Sequence, residues 1–342
     1  MATIKDVAKL SGVSIKTVSR VVNNLSEVSP TTRQRVQQAI FELGYQPNKL
    51  ARSLVNGRTN TVGVVIPQSA SYIFTHPFFT EVLQGITEVL SQIDFNLLLH
   101  LAHEKVPYAK LYTQHQVDGL ILMSIPIGDP NIQMLDDTGV PWICTCRVSE
   151  DDDSTNWVDA DFAGGVEQAM EYLISLGHTR IALLAGPMSL VSVHLRVLGY
   201  QNALRKHHLP MTDGYILEGS FTSESGHSLA IKAMEHSQPP SALICGDDLM
   251  AFGVIQALKE QGYCVPEDVS VVGFDDISLA RFSSPPLTTI RQDTYLKGRK
   301  AAEALLARLR DKSTNYPMKI LLDTSLVIRK STAPVNDSPA II

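Results

Sequence analysis

Apolar residues along this chain keep two different periods, and the change falls near residue 60. Upstream they recur at helical spacing in short bursts. Val18, Val21 and Val22 fall on one side of a helix, and Val36, Ile40 and Leu43 follow at i, i+4 and i+7. The punctuation between the bursts is that of helix ends. Thr3, with Asp6 three residues on, has the capping-box pattern, and Gly12 is a stop. Ser14 caps the next segment, Ser29-Pro30 sets a cap before a proline at the first helical position, and Gly44 closes the third. Three short helices with a tight turn between the first two predict a helix-turn-helix module in the first 45 residues. QPNKLARSLVNGR (46–58) is a bridge: Pro47 breaks the preceding helix and Gly57 marks the far end, leaving room for about two turns.

From residue 61 the apolar positions become continuous. TVGVVIP (61–67), FNLLLHLA (95–102), DGLILMS (118–124) and PWICTC (141–146) read as strands buried on both faces. So do RIALLAG (180–186), YILEG (215–219), ALICGD (242–247) and VSVVGF (269–274). Helical spacing is interleaved at 80–93, 164–177 and 250–262, and the alternation predicts two parallel α/β sheets. LTTIRQD (287–293) and ILLDTSLVIRKST (320–332) flank one more helix, 294–310, and could cross back between two lobes. Ligands of such sheets bind beyond the carboxyl ends of the strands. Pro67-Gln68-Ser69, Gly246-Asp247-Asp248 and Asp275-Asp276 cluster at those points. No GxGxxG or GxxxxGKS/T pattern follows a strand, so a nucleotide cofactor is not indicated and no cofactor is expected.

Composition narrows the class. At 342 residues, 44% hydrophobic and 19% charged, the chain is that of a folded protein of two or three domains. No apolar run nears the roughly 18 residues of a membrane-spanning helix. MATIKDVAK lacks the apolar core and cleavage site of a signal peptide, so a cytoplasmic location is expected. The net charge of −6 is unevenly spread: residues 1–58 carry nine Lys/Arg against three acids, and the remainder 20 bases against 32 acids. A basic head on an acidic body turns the head toward a polyanion, with charge alone favouring nucleic acid over a membrane surface only weakly. Cys144, Cys146, Cys245 and Cys264 lack the spacing of a zinc site and read as buried free thiols; on a strand, Cys144 and Cys146 share one face.

Several motifs in order then give the chain a family likeness. TIKDVAKLSGVSIKTVSRVVNN, YQPNKLARSL, VGVVIP, HPFFTEVLQGI, LGHTRIALLAG, SVVGFDD and PPLTTIRQD resemble the lactose/galactose-repressor (LacI/GalR) family of bacterial transcription regulators along nearly the whole length. The resemblance implies an all-α helix-turn-helix head at 1–46 and a hinge helix at 47–58. It implies an effector-binding and dimerisation body at 59–342, a two-lobed, periplasmic-binding-protein-like α/β domain with parallel sheets. Lobe one would span about 59–160 and 292–320, and lobe two about 161–291 and 321–332.

By matching positions, Ile15, Lys16 and Arg20 read bases in the major groove. Lys and Arg can donate to guanine, while Ile15 can make only apolar contact, as with a thymine methyl. Thr3, Ser14, Thr17, Ser19, Asn23 and Asn48 correspond to phosphate-contacting positions, which set register without reading sequence. Ala51 and Leu54 fall on the hinge, where Leu54 matches a leucine wedged into the minor groove at the operator centre; Lys49 and Arg52 would sit near phosphates. The alternatives are a solvated helix face for the head residues and burial against the body for Leu54.

In the body, Arg196 and Asp275 match positions that hydrogen-bond a small effector, a pair suited to vicinal sugar hydroxyls. Phe79 and Phe221 match aromatic walls, and Ser192, Asp247 and Gln292 complete the candidate set. Phe79 as plain core and Asp275 as a loop cap remain open. SASYIFTHPFF (69–79) is longer than in the shortest family members, which favours a di- or oligosaccharide or a sugar derivative. Its His76 reads as an exposed or capping residue, with ligand contact the alternative. The purine-binding branch of the family shares this scaffold. STAPVNDSPAII is too short and Pro-broken for a heptad zipper, so a homodimer on pseudo-palindromic double-stranded operator DNA is expected. A transport solute-binding protein is opposed by the basic head. An enzyme is not expected, since no nucleophile–base pair, metal spacing or phosphate loop stands out.

Overall fold

The computed structural model describes residues 2–22, 27–46, 57–101, 107–150, 155–311 and 318–335. The chain divides into two compact units, Met1–Asn60 and Thr61–Ile342.

In the first unit the local end signals set the helices. Helix α1 (Ile4–Ser11) begins where the Thr3 backbone N–H and hydroxyl both donate to Asp6 Oδ2, at 2.8 and 2.7 Å. It ends at Gly12, whose φ of +66° is left-handed backbone that glycine adopts without penalty. Helix α2 (Ile15–Val22) is opened by Ser14 Oγ, which accepts the Thr17 amide at 3.1 Å. Helix α3 (Pro30–Leu43) starts from Ser29, with Pro30 in its first turn. Helices of eight residues are marginal alone, so the head depends on a shared core. Val7, Ala8, Val18, Val21, Val36 and Ala39 form it. On α3 the buried pair is thus Val36 and Ala39, with Ile40 and Leu43 only half-covered. Three short helices are too thin a layer to close over the larger residues.

The second unit holds two six-stranded sheets among the described residues. In chain order their elements begin with β1 (Thr61–Ile66), α4 (Ala70–Thr75), α5 (Pro77–Ser91), β2 (Asn96–Leu101), α6 (Ala109–Thr113), β3 (Gly119–Leu122), α7 (Pro130–Thr138), β4 (Trp142–Cys144) and β5 (Trp157–Ala160). Then come α8 (Phe162–Ser175), β6 (Ile181–Ala185), α9 (Val191–Lys206), β7 (Ile216–Glu218), α10 (Ser223–Met234), β8 (Ala242–Cys245), α11 (Asp248–Glu260) and β9 (Ser270–Asp275). The last are β10 (Thr288–Gln292), α12 (Thr294–Arg310), β11 (Lys319–Leu322) and β12 (Thr324–Val327). Lobe one has the order β11-β5-β4-β3-β1-β2 and lobe two β12-β10-β9-β8-β6-β7. All pairings are parallel except β10 with β12, which is antiparallel, so the second sheet is not purely parallel as expected.

The chain passes between lobes at Asp161, Asp293 and Asp323. Gln292 still pairs with Thr324 in lobe two, and Leu322 with Ala160 in lobe one. The expected boundaries at 292 and 321 therefore move to Asp293 and Asp323, because the ladders run on to those residues. Two of the three aspartates cap the helix that starts beside them: Asp161 accepts from Gly164 N at 3.0 Å and Asp293 from Leu296 N at 2.8 Å. Strand β5 carries the buried Asp159, which interrupts its apolar pattern.

Candidate functional site

Two surfaces collect the candidate residues, one on each unit. On the head, the buried face of α2 is Val18 and Val21, which leaves Ser14, Ile15 and Lys16 exposed and Thr17, Ser19 and Arg20 half-exposed. Ile15 is 46% exposed, a large apolar side chain at the start of a polar face. Arg20 lies 3.1 Å from Glu27, both on the surface. Thr3 is exposed, with its hydroxyl committed to Asp6. Asn23, Asn48, Lys49, Ala51, Arg52 and Leu54, and with them most of the hinge at 47–58, lie outside the described residues.

In the body, a cleft opens between the lobes at the carboxyl ends of β3, β4, β8, β9 and β10. Phe79, Ser192, Arg196, Phe221, Asp247, Asp275 and Gln292 all line it. Phe79 is at once core and wall, 2% exposed and packed in the lobe-one core.

Arg196, on the buried side of α9, is the centre of the site. Its guanidinium carbon stands 4.3 Å from the Phe162 ring, 4.2 Å from Phe274 and 5.6 Å from Phe221. Nη1 donates to the Ser192 carbonyl at 3.1 Å, and the buried Nε has no partner among the described residues. Burial lowers its pKa to about 10, against the pull of Asp275 and Asp247. Strand ends make room for Phe221: a Cβ on Gly186 would lie 2.1 Å from that ring, and one on Gly246 3.0 Å.

Asp275 ends β9 with φ at +105°, a strained backbone for a residue with a side chain. Its Oδ1 accepts from Gln292 Nε2, and among the described residues no amide caps onto it, so the loop-cap alternative falls. That role belongs to Asp248, which accepts the Ile277 amide at 2.8 Å. Burial, reinforced by Asp247, pushes the Asp275 carboxyl up to about 6, with Arg196, His76 and Gln292 opposing.

Besides an exposed His194–Glu150 contact, two buried side-chain links join the lobes at the cleft among the described residues. His76 is buried, not exposed. Its Nε2 donates to Asp247 Oδ2 at 2.8 Å, while Nδ1 accepts the Phe78 amide at 3.3 Å and so caps α5, a tautomer assigned from these partners. Burial alone would lower its pKa; the Asp247 hydrogen bond and charge, with Asp275, outweigh it and raise it. Asp247 also caps α11 through Met250 N at 2.7 Å. In the second link, Lys297 Nζ, 1% exposed, donates to Gln292 Oε1 at 3.0 Å and to Asp159 at 3.4 Å.

Sequence reasoning missed Lys297, Asp159, Phe162, Thr145 and Cys146. The signal for Lys297 was weak but present: a lysine on the apolar side of an amphipathic helix. The thiols also differ from expectation. Cys144 and Cys245 are buried, but Cys146 is half-buried on the cleft wall and Cys264 is exposed. Among the described residues, no group of three or more His, Cys, Asp or Glu is placed to hold a metal ion.

Comparison with known proteins places the chain among bacterial regulators. Residues 3–48 match the pattern of "Bacterial regulatory proteins, lacI family", and residues 170–332 that of a "Periplasmic binding protein-like domain". The chain is 37% identical over 333 residues to the HTH-type transcriptional regulator CelR of Thermobifida fusca, covering 96% of this chain and 98% of that protein. It is 34% identical over 342 residues to the HTH-type transcriptional repressor PurR of Vibrio parahaemolyticus, covering 98% and 100%. Among solved structures, a CelR–cellobiose complex superposes with a TM-score of 0.76 at 35% identity, over 97% of this chain and all of that one. The lac repressor dimer bound to operator and the anti-inducer ONPF superposes with a TM-score of 0.85 at 31% identity, over 97% and 99%.

Proposed function

The chain belongs to the lacI family of bacterial regulatory proteins, and from that membership we propose a dimeric, cytoplasmic, sugar-controlled repressor. It is a helix-turn-helix transcriptional regulator. In this reading two heads engage the two half-sites of a pseudo-palindromic operator. Ile15, Lys16 and Arg20 read bases, Thr3, Ser14, Thr17 and Ser19 hold phosphates, and Asn23, Asn48, Ala51 and Leu54 complete the contact as in the family.

The observation that carries the effector reading is unfilled hydrogen-bonding capacity inside an aromatic-walled cleft. Arg196 Nε has no acceptor, and Asp275 has no hydrogen bond to its second oxygen, among the described residues. A carboxylate that accepts beside a guanidinium that donates suits adjacent hydroxyls. Phe221 offers a ring face to the C–H side of a pyranose. SASYIFTHPFF folds into α4 and the start of α5 and supplies Tyr72, His76, Phe78 and Phe79 to the lining, which supports a ligand longer than one hexose. The cellobiose bound to CelR is of that class. The site binds without turnover in this reading, as its named relatives are regulators.

Control requires that the sugar bind one arrangement of the lobes better than another; equal affinity would shift nothing. The test is calorimetry of the full chain with cellobiose, other disaccharides and purine bases, paired with operator titration at each saturating ligand. A disaccharide that binds and changes operator affinity at least tenfold supports the proposal. Binding by a purine base alone assigns the protein to the PurR-like reading instead.

A further inference from the structure

Cys144 and Cys146 are a pair whose placement the regulator reading does not use. In an extended strand, residues two apart share a face but stand about 6.6 Å apart along the chain. Here β4 ends at Cys144 and the chain bends at Thr145–Cys146, bringing the two Sγ atoms to 3.0 Å. Thr145 N remains tied to the Leu122 carbonyl at 2.8 Å, so the end of the strand stays anchored while Cys146 turns back toward it. Cys144 is fully buried beneath, and Cys146 lines the cleft. A disulfide is about 2.05 Å long, so the sulfurs need to close by only about 1 Å.

We propose that Cys144 and Cys146 form an oxidisable dithiol in the wall of the effector cleft, joined as a disulfide by hydrogen peroxide entering that cleft. Calling the cleft an effector site rests on the function proposed above; the thiol chemistry does not. Cys146, the accessible sulfur, attacks one peroxide oxygen as its thiolate. The O–O bond breaks, and the departing hydroxide takes up the thiol proton as water, leaving Cys146 sulfenic acid. Cys144 then attacks Cys146 Sγ, the S–O bond breaks, and the hydroxide leaves with the Cys144 proton as a second water. Two thiols lose two electrons, and one peroxide becomes two waters. Burial pushes the Cys144 thiol up, so it does not start the reaction; it resolves the sulfenic acid only as its proton passes to the departing hydroxide, with the short Sγ–Sγ separation bringing it into reach. Closure draws Cys146 off the cleft wall and changes the surface a ligand meets.

The experiment uses the full chain carrying Cys264→Ser, which removes the exposed thiol. The protein is treated with hydrogen peroxide with and without cellobiose, trapped with dimedone, and analysed by peptide mass spectrometry. The expected product is loss of two hydrogens from the peptide holding both residues, reversed by dithiothreitol. Adding Cys144→Ser should halt the reaction at a dimedone adduct on Cys146, and adding Cys146→Ser should leave Cys144 unreacted. Failure of the pair to join at peroxide doses that oxidise Cys264 in the unsubstituted chain overturns the proposal. Where calorimetry shows cellobiose bound, it should slow disulfide formation about tenfold or more; an unchanged rate overturns the placement on the ligand-contacting wall. Disulfide formation without any sugar binding supports the dithiol and counts against the effector reading alone.

Discussion

Asp275→Asn should make the ligand-free protein more stable and the effector response weaker. The carboxyl is held at about 6 against its ordinary 3.8, first by burial and then by Asp247. A carboxyl raised on folding binds its proton more readily in the folded state. The folded state is therefore penalised as pH rises from 3.8 to about 6, and the penalty is complete above that. At about 1.4 kcal/mol per tenfold change in acidity it comes to roughly 3 kcal/mol at pH 7.5. Asparagine removes the charge, keeps an oxygen for Gln292 Nε2, and tolerates the positive φ better than most residues. The expected gain is about 1–3 kcal/mol, or roughly 2–6 °C in Tm for a domain of this size. The same change removes a charged acceptor, worth about 1.5–3 kcal/mol per hydrogen bond, so sugar affinity should fall about tenfold or more. Thermal denaturation of both proteins at pH 7.5 and pH 5 checks the argument, because by pH 5 the gap should shrink to about half. A variant no more stable than wild type at pH 7.5, or a gap unchanged at pH 5, refutes it.

Arg20→Ala should weaken operator binding and relax preference at one base position by about 1–3 kcal/mol, read by competition among single-base operator variants; a uniform loss on all sequences would place Arg20 on phosphate. Gly186→Ala drives a methyl into the Phe221 ring, and overpacking of this kind costs about 1–3 kcal/mol. Its expected signature is weaker sugar binding with unchanged operator affinity in the absence of sugar; equal sugar affinity would show that the ring moves aside freely. His178 is buried against Ser241, Ser270 and the Ala333 carbonyl, and burial lowers its pKa. Its unfolded form therefore takes up a proton first, and stability falls as pH drops below about 6.5, by up to about 1.4 kcal/mol per pH unit. Urea denaturation across pH 7 to 5 should show a smaller decline in His178→Gln, and an identical decline would assign the effect to other groups.

What could be read in the sequence was what is local. Thr3 with Asp6, Gly12, Ser29-Pro30 and Gly44 mark helix ends because a cap is chemistry between residues three or four apart. The apolar strands were equally plain in position, since inner strands covered on both faces need no polar partner. The edge strands β2 and β7, however, are only partly covered and not buried on both faces as expected. Strand β5 was not plain, because Asp159 stays buried through partners off its own strand, the Arg147 amide and Lys297, the latter 138 residues further on. His76, read as exposed or capping, does cap a helix, but its burial was hidden for the same reason: its partner Asp247 lies 171 positions away. Arg196 and Asp275 were reached through family likeness, not spacing. Nothing in the neighbourhood of either shows that α9 and β9 deliver them to one cleft. Cys144 and Cys146 were placed on one strand face, and only the bend after β4 sets their sulfurs together.

The three crossings between the lobes also govern the order in which the protein can be made. Lobe one begins at residue 61 but lacks α12 and β11 until residue 322 is synthesised. Ala301, Ala302 and Leu305 of α12 complete the core that holds Val64, Ile66 and Ile121 of the first strands. At about 5–20 residues per second, those strands wait roughly 10–30 s after β5 for their cover, open to chaperones or to wrong pairings. Lobe two in turn lacks β12 until residue 327. The head needs nothing beyond residue 46, so it is the first part of the nascent chain able to fold. A chain cut short inside the last crossing would carry a finished basic head beside an incomplete cleft.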